Sequence, residues 1–123
     1  IELLIVVVII GILAAMAIPR YSSVKERAYH ATVKTDLKNL EISEEAYAST
    51  NSGSYFSHTY TTPTDSANTF GASMNVSIIA TATGSSGWSA TATHSSAPGH
   101  TCAIFIGTAP VSPAVFAGAP ACD

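Results

Sequence analysis

Charge is almost missing from the carboxyl-terminal part of the chain. After residue 50 the sequence has no lysine or arginine, and Asp65 and Asp123 are its only acidic residues. Proteins that hold nucleic acid need clustered cations to neutralise phosphates, so we predict no nucleic-acid site in this region. Two carboxylates are likewise too few for a calcium cage, which takes about six to eight oxygen ligands.

Residue patterns typical of catalytic sites are missing as well. The sequence has no Gly-x-Ser-x-Gly turn, cysteine–histidine pair or paired carboxylates after residue 50, so we do not expect an enzyme. His58, His94 and His100 could combine with Asp123, but their spacing matches no recognised set of metal ligands. Exposed histidines without a ligand are the simpler interpretation, and we predict no metal ion and no other cofactor.

What the chain has instead is a long apolar run at its beginning. Residues 1–18, IELLIVVVIIGILAAMAI, contain a single charged residue, Glu2, and a single glycine, Gly11, and are followed by Pro19. At about 1.5 Å per residue this run makes a helix of roughly 27 Å, which can span the core of a bilayer. A cleaved secretory signal is the alternative, but the run lacks a basic flank before it and a typical cleavage site after it.

Cysteine is scarce, and both cysteines lie near the carboxyl terminus. Cys102 and Cys122 form an even pair behind a membrane-type segment, which suggests an oxidising compartment and one disulfide. Two free buried thiols are the alternative. Closing this loop contributes roughly 3 kcal/mol in the chain-entropy treatment.

Three basic residues after the apolar run, Arg20, Lys25 and Arg27, bear on orientation. The positive-inside rule alone places the region after them in the cytoplasm, whereas a disulfide there requires an oxidising compartment. The two arguments agree if a basic leader has been removed. We therefore expect that Ile1 is not the start of the translated chain.

Residues 22–50 are predicted to continue as an amphipathic helix. Apolar residues recur there at helical spacings, namely Tyr29, Val33, Leu37, Leu40 and Tyr47. One face of this helix should pack on a globular head, and the sequence NSGS at residues 51–54 ends it.

The rest of the head is predicted to be a loop, a small sheet and a tail. Residues 51–73 have little periodicity and are interpreted as a packed loop. Three β-like runs, at 74–83, 88–95 and 101–108, predict an antiparallel β-meander within residues 74–108. The tail within residues 102–123 carries several prolines and should be irregular but disulfide-tied. The predicted fold class is α+β, with a long N-terminal helix, hydrophobic in its first half and amphipathic in its second, packed on a small antiparallel β-sheet head.

Residues 1–21 resemble the N-terminal region of bacterial type IV pilins and of type II secretion pseudopilins. The resemblance is carried by the single Glu2 near the start, the interior Gly11 and the Ile-Pro pair that ends at Pro19. Mature chains of that family usually begin with phenylalanine and two further residues before the Ile-Glu pair. We therefore expect three residues and a leader peptide before Ile1.

The resemblance implies a polymerising subunit. Residues 1–21 would form the transmembrane segment and later the filament core, and residues 22–123 the globular pilin head. A prepilin peptidase would cut and methylate the chain at the inner membrane, and the pilus assembly machinery would extract it into an extracellular helical homopolymer. Twitching motility and cell adhesion are functions that the family implies for such a filament.

The resemblance also assigns roles to three assembly residues. Glu2 would neutralise the N-terminal amine of a neighbouring subunit, and Gly11 and Pro19 would bracket a stretch that unravels in the filament. A carboxylate in an apolar run costs about 2.5–3.5 kcal/mol at the centre of a bilayer, so Glu2 needs a partner or a pathway. The alternatives are a glutamate that only reaches the headgroups and a helix that only kinks at Pro19.

The predicted function is therefore that of the structural major subunit of a type IV pilus. A type II secretion pseudopilin is the alternative within the same family, although the scarcity of acidic residues in the head speaks against the calcium sites common there. A membrane-anchored periplasmic binding module that does not polymerise is the alternative from a different class.

Overall fold

A single long helix dominates the structure, a computed structural model that describes residues 1–61 and 66–123. Helix α1 runs from Glu2 to Thr50 and continues through Pro19. At about 1.5 Å per residue it is roughly 74 Å long. Pro63 and Asp65 of the predicted loop 51–73 lie outside the described residues.

The second half of α1 packs on the head through an apolar stripe. Val33, Leu37 and Leu40 are at most 1% exposed, as their helical spacing predicts. The helix ends where the Asn51 N–H donates to the Tyr47 carbonyl at 3.0 Å. Packing of this stripe on the sheet stabilises this half of the helix, because an isolated helix of ordinary sequence is only marginally stable in water.

The head is built on a five-stranded antiparallel sheet with the order β1-β4-β5-β6-β7, beside a separate two-stranded hairpin of β2 and β3. The strands are β1 (His58–Tyr60), β2 (Ser66–Ala67), β3 (Phe70–Gly71), β4 (Val76–Ala82), β5 (Trp88–His94), β6 (Cys102–Ile106) and β7 (Ala121–Cys122). In the register of β6 with β7, Cys102 lies opposite Cys122.

The main core lies between α1 and one face of the sheet. Alternate residues of β4 and β5 point into it, so Ile78 and Trp88 are fully buried while their neighbours are more exposed. Burying a large apolar side chain contributes about 1.5–3 kcal/mol, so this layer stabilises the head strongly. A smaller cluster of Ala103, Phe105 and Ala114 lies under the tail. Strand β6 therefore carries buried side chains on both of its faces.

The predicted fold class is confirmed, with its long N-terminal helix, antiparallel sheet and disulfide-tied tail. Two segments differ from their predicted structure. The region expected to be a loop contains three short strands, and β1 adds to the sheet by placing His58 opposite Ala80. The tail, expected to be irregular, contributes β7. Strands of two or three residues are too short to show an alternating pattern in the sequence. They are stabilised by pairing with a longer neighbouring strand.

Candidate functional site

The first half of α1 extends from the head with its apolar side chains exposed. Residues 1–25 are all exposed, over a length of about 38 Å. Leu3 is 79% exposed, Met16 63% and Ile18 71%. Soluble monomers rarely expose an apolar patch larger than a few hundred Å2, so this surface needs lipid or a partner. The helix is long and apolar enough to cross a membrane, which fits membrane anchoring.

Glu2 lies in the first turn of α1 and is exposed. The amides of a helix start point outward without intrahelical partners, and a carboxylate there is favoured by about 0.3–1 kcal/mol. The N-terminal residue Ile1 offers no side-chain cap. Glu2 is also the one charged side chain within residues 1–19. Because it is exposed, a cation outside the chain can approach it.

Gly11 and Pro19 lie along the same helix and not beside Glu2. They are about 13 Å and 26 Å further along its axis. A side chain added at Gly11 would meet open space. Pro19 has no N–H to donate to the carbonyl of Ala15, so the helical ladder lacks one bond there although the helix continues. The three predicted assembly residues are thus spread along one exposed segment and form no cluster.

The junction between the exposed segment and the head has specific contacts. Nε2 of His100 lies 2.8 Å from Oε1 of Glu26, and the Tyr29 ring stacks on His94 with centroids 4.4 Å apart. Beside these contacts is an open groove of about 490 Å3, lined on the helix side by Ile18, Tyr21 and Lys25 and on the head side by Ala97 and Pro98. These contacts and the groove lie where the exposed segment leaves the head.

Buried polar side chains of α1 hold the connection that follows the helix. The Asp36 carboxylate accepts hydrogen bonds from the Ser73 N–H and the Ser73 hydroxyl, both at 2.8 Å. The Glu44 carboxylate accepts one from the Phe56 N–H at 2.9 Å. Burial raises the pKa of the Glu44 carboxyl. These bonds tie two points of the chain between α1 and β4 to the helix, Phe56 before β1 and Ser73 after β3.

Sequence reasoning missed these buried acids, although a signal for them exists. Asp36 and Glu44 fall on the same helical stripe as Leu37 and Leu40, at spacings of three and four residues. An acidic residue on an apolar stripe either faces a polar partner or destabilises the fold. The partners here are backbone N–H groups distant in sequence, which the pattern does not identify.

A disulfide between Cys102 and Cys122 joins β6 to β7 and closes the tail, as predicted for the fold. Ala114 of the enclosed segment is buried against the sheet, whereas Val115 and Phe116 are 68% and 75% exposed. The tail therefore has one side fixed to the head and one side presented to the surroundings.

The histidines considered as metal ligands lie in different places. Nδ1 of His100 is 3.2 Å from the carbonyl oxygen of Asp123, so these two residues do meet. His58 lies in β1 against Phe56, and His94 stacks on Tyr29. The residue that sequence reasoning missed is His30, whose ring lies 5.2 Å from that of His100.

The long apolar helix and the antiparallel sheet form the architecture expected from the resemblance of residues 1–21. No family model and no solved structure matches the chain. The chain is similar to a curated protein described as the type IV major pilin protein PilA of Myxococcus xanthus (strain DK1622), with 47% identity over 49 residues. This match covers 40% of the chain and 22% of that protein, so the chain spans about a fifth of its relative's length. The match and the architecture together fit a type IV pilin, as the resemblance of residues 1–21 predicted.

Proposed function

We propose that this protein is a structural subunit, and specifically the major subunit, of a type IV pilus, which polymerises through residues 1–21 of α1. The observation that carries the proposal is the exposed apolar half of α1, with one carboxylate in its first turn. Such a surface is stable in two environments, a lipid bilayer and a bundle of identical helices. A subunit stored in the inner membrane and then moved into an extracellular filament uses both.

Glu2 sets the axial position of one subunit on the next in this proposal. Away from water, a carboxylate without a partner is costly, whereas one beside an ammonium group with good geometry offsets its own desolvation. The N-terminal amine of a neighbouring subunit supplies that group. Only an arrangement that brings amine and carboxylate together leaves no isolated charge in the filament core, so the pair selects one register among many apolar contacts.

The surroundings of the proposed filament follow from the same assignment. A prepilin peptidase prepares the N-terminus, with methylation of the new amine, and an assembly machinery draws the subunit out of the inner membrane. The head then lies on the outside of the filament, where the exposed Val115 and Phe116 of the tail face the medium. No catalytic step is assigned to the chain.

The test replaces Glu2 by alanine and, as a matched control for size, by glutamine. We expect both variants to accumulate in the inner membrane at the wild-type level, because insertion depends on apolarity. We expect the yield of filaments sheared from cells to fall at least about tenfold for both, since 1.4 kcal/mol already corresponds to a factor of ten. Electron microscopy of the sheared fraction and immunoblots of the membrane fraction measure the two quantities.

Two outcomes would contradict the proposal at different levels. Normal filament yield from the Glu2→Gln variant would overturn the role of charge while leaving the filament intact. Wild-type cells that hold the protein in the membrane but release no filaments would favour a membrane-anchored binding module or a pseudopilin instead.

A further inference from the structure

Three side chains of metal-binding types meet where α1 joins the head. Glu26 and His30 lie one turn apart on the helix, and His100 comes from the loop between β5 and β6. One possible ligand atom of each residue lies within 4.8 Å of those of the other two. Each of the three residues is half-buried. The group therefore lies in the wall of the junction, accessible to an ion but partly shielded from solvent.

The hydrogen bonding of this cluster is incomplete. Nε2 of His30 is buried and has no hydrogen-bond partner among the described residues. Buried polar atoms normally have a partner, and an orphan of this kind calls for an explanation such as an ion. The second histidine is already oriented, because Nδ1 of His100 lies 3.2 Å from the carbonyl oxygen of Asp123 and its Nε2 is turned toward Glu26. Histidine ligands of metals usually have such an outer partner on their other nitrogen.

We propose that Glu26, His30 and His100 bind a divalent transition-metal ion, with Zn2+ as the best fit. Two imidazoles and one carboxylate are ligands typical of zinc, and the fourth tetrahedral position would take a water molecule. Ligand atoms around tetrahedral zinc are about 3.3 Å apart, given metal–ligand distances of about 2.0–2.2 Å. Rotation of these half-buried side chains would have to bring the three atoms, which now lie within 4.8 Å of one another, to that separation. Nε2 of His100 and Oε1 of Glu26, which lie 2.8 Å apart, would then both face the ion.

The ion would act as a clamp between α1 and the head. Two of its ligands lie on the helix, at the end of the exposed segment, and the third belongs to the head. Binding would therefore stabilise the angle at which the exposed segment leaves the head. This inference does not depend on polymerisation, because the site is formed within one chain.

The experiment titrates the full chain, purified in detergent micelles, with Zn2+ and follows binding by calorimetry. We expect one equivalent to bind, and the dissociation constant to rise at least about tenfold in His30→Ala and in His100→Ala. His58→Ala is the matched control, because His58 lies in β1 outside the cluster, and it should bind as the wild type does. Co2+ in place of Zn2+ should give the visible absorption of a tetrahedral complex in the wild type and in His58→Ala, but not in His30→Ala or His100→Ala.

A conservative variant and a stability measurement separate loss of ligands from loss of fold. Glu26→Gln keeps the size of a half-buried side chain, so it decides the matter if either alanine variant fails to fold. Zn2+ should raise the melting temperature of the wild type and not that of Glu26→Gln, each compared with its own melting temperature without metal. Failure of the wild type to bind Zn2+ at micromolar concentration, or full affinity in Glu26→Gln, would overturn the proposal.

Discussion

At the scale of single residues, Glu44 shows how a charged side chain can belong to a core. It is 1% exposed, lies on the apolar stripe of α1 and accepts a hydrogen bond from the Phe56 N–H. Burial disfavours its ionised form and raises the pKa of its carboxyl. The group therefore has two opposing effects on stability, a favourable hydrogen bond and an unfavourable desolvation of its charge.

The sign of the pH dependence follows from the direction of this shift. A folded-state pKa above the usual 4.5 means that the folded chain holds the proton more tightly than the unfolded chain does. The resulting stabilisation is fully present below the unfolded-state pKa and is lost as the pH rises through the folded-state pKa. Denaturant unfolding at a series of pH values should show this loss in the wild type, and Glu44→Gln should lack it.

Two substitutions of Glu44 distinguish the effect of its hydrogen bond on stability at pH 7 from the effect of its charge. We expect Glu44→Ala to lower the free energy of unfolding by about 1–3 kcal/mol, because the Phe56 N–H loses its acceptor. Glu44→Gln keeps an acceptor oxygen without the charge, so it should be clearly more stable than Glu44→Ala. Equal stability of the two variants would contradict the importance of this hydrogen bond.

At the scale of elements, the pairing of β5 with β6 depends on two glycines that face each other at one end of the ladder. Trp88 of β5 pairs with Ile106 of β6 in the register. Gly87 comes just before Trp88 in the chain, and Gly107 comes just after Ile106. A Cβ on Gly107 would lie only 2.3 Å from the Ser86 carbonyl oxygen. The backbones approach too closely there for any side chain, so this end of the ladder would have to open.

Gly84 provides a matched control for that steric effect. Gly84 and Gly107 have nearly the same φ, 65° and 69°, but a Cβ at Gly84 meets nothing within 4 Å. Gly84→Ala should therefore cost only the strain of a left-handed alanine, about 1–2 kcal/mol. We expect Gly107→Ala to lower the free energy of unfolding by about 1–3 kcal/mol more, because its neighbours must also move. Equal losses in thermal or denaturant unfolding would show that the backbone adapts without cost.

The elements that could be predicted are those whose residues repeat a period over several turns or pleats. Val33, Leu37 and Leu40 show the helical stripe, and the alternation in β4 and β5 shows two half-buried strands. Strand β1 was missed because three residues carry no period. The cluster at the junction was missed because Glu26 and His30 meet His100 only through the fold, far along the chain. The assembly roles of Glu2, Gly11 and Pro19 stay predictions, since they concern contacts between chains.

At the scale of the whole molecule, the two halves of α1 lie in different surroundings. Its second half is fixed by the core of the head, whereas its first half takes its environment from outside the chain. In lipid, every backbone carbonyl needs an internal partner, which favours an unbroken helix. In the proposed filament, neighbouring chains or trapped water can satisfy carbonyls instead. The same segment can therefore have different backbone structures in the two environments.

We predict that the filament has non-helical backbone between Gly11 and Pro19, although the single chain is helical there. Pro19 already removes one helical bond, and Gly11 destabilises a helix by about 1 kcal/mol relative to alanine. An extended residue spans up to about 3.3–3.6 Å against about 1.5 Å in a helix, so the unravelled stretch also lets the filament lengthen. A filament map measures this directly. Continuous helix from residue 1 to 48, broken only at the bond Pro19 cannot make, would disprove it.

The shortness of the outer strands of the sheet has a consequence for aggregation. The sheet is bordered by β1, with three residues, and β7, with two, and the second is tied down by the disulfide. Unpaired strand edges act as templates for uncontrolled aggregation, and short ones give an incoming strand few hydrogen bonds. A fibre crowds many copies of the same head together, which is the condition under which amyloid-like growth competes with ordered assembly. In the proposed filament, the short edge strands would therefore favour assembly through helices over aggregation through strands.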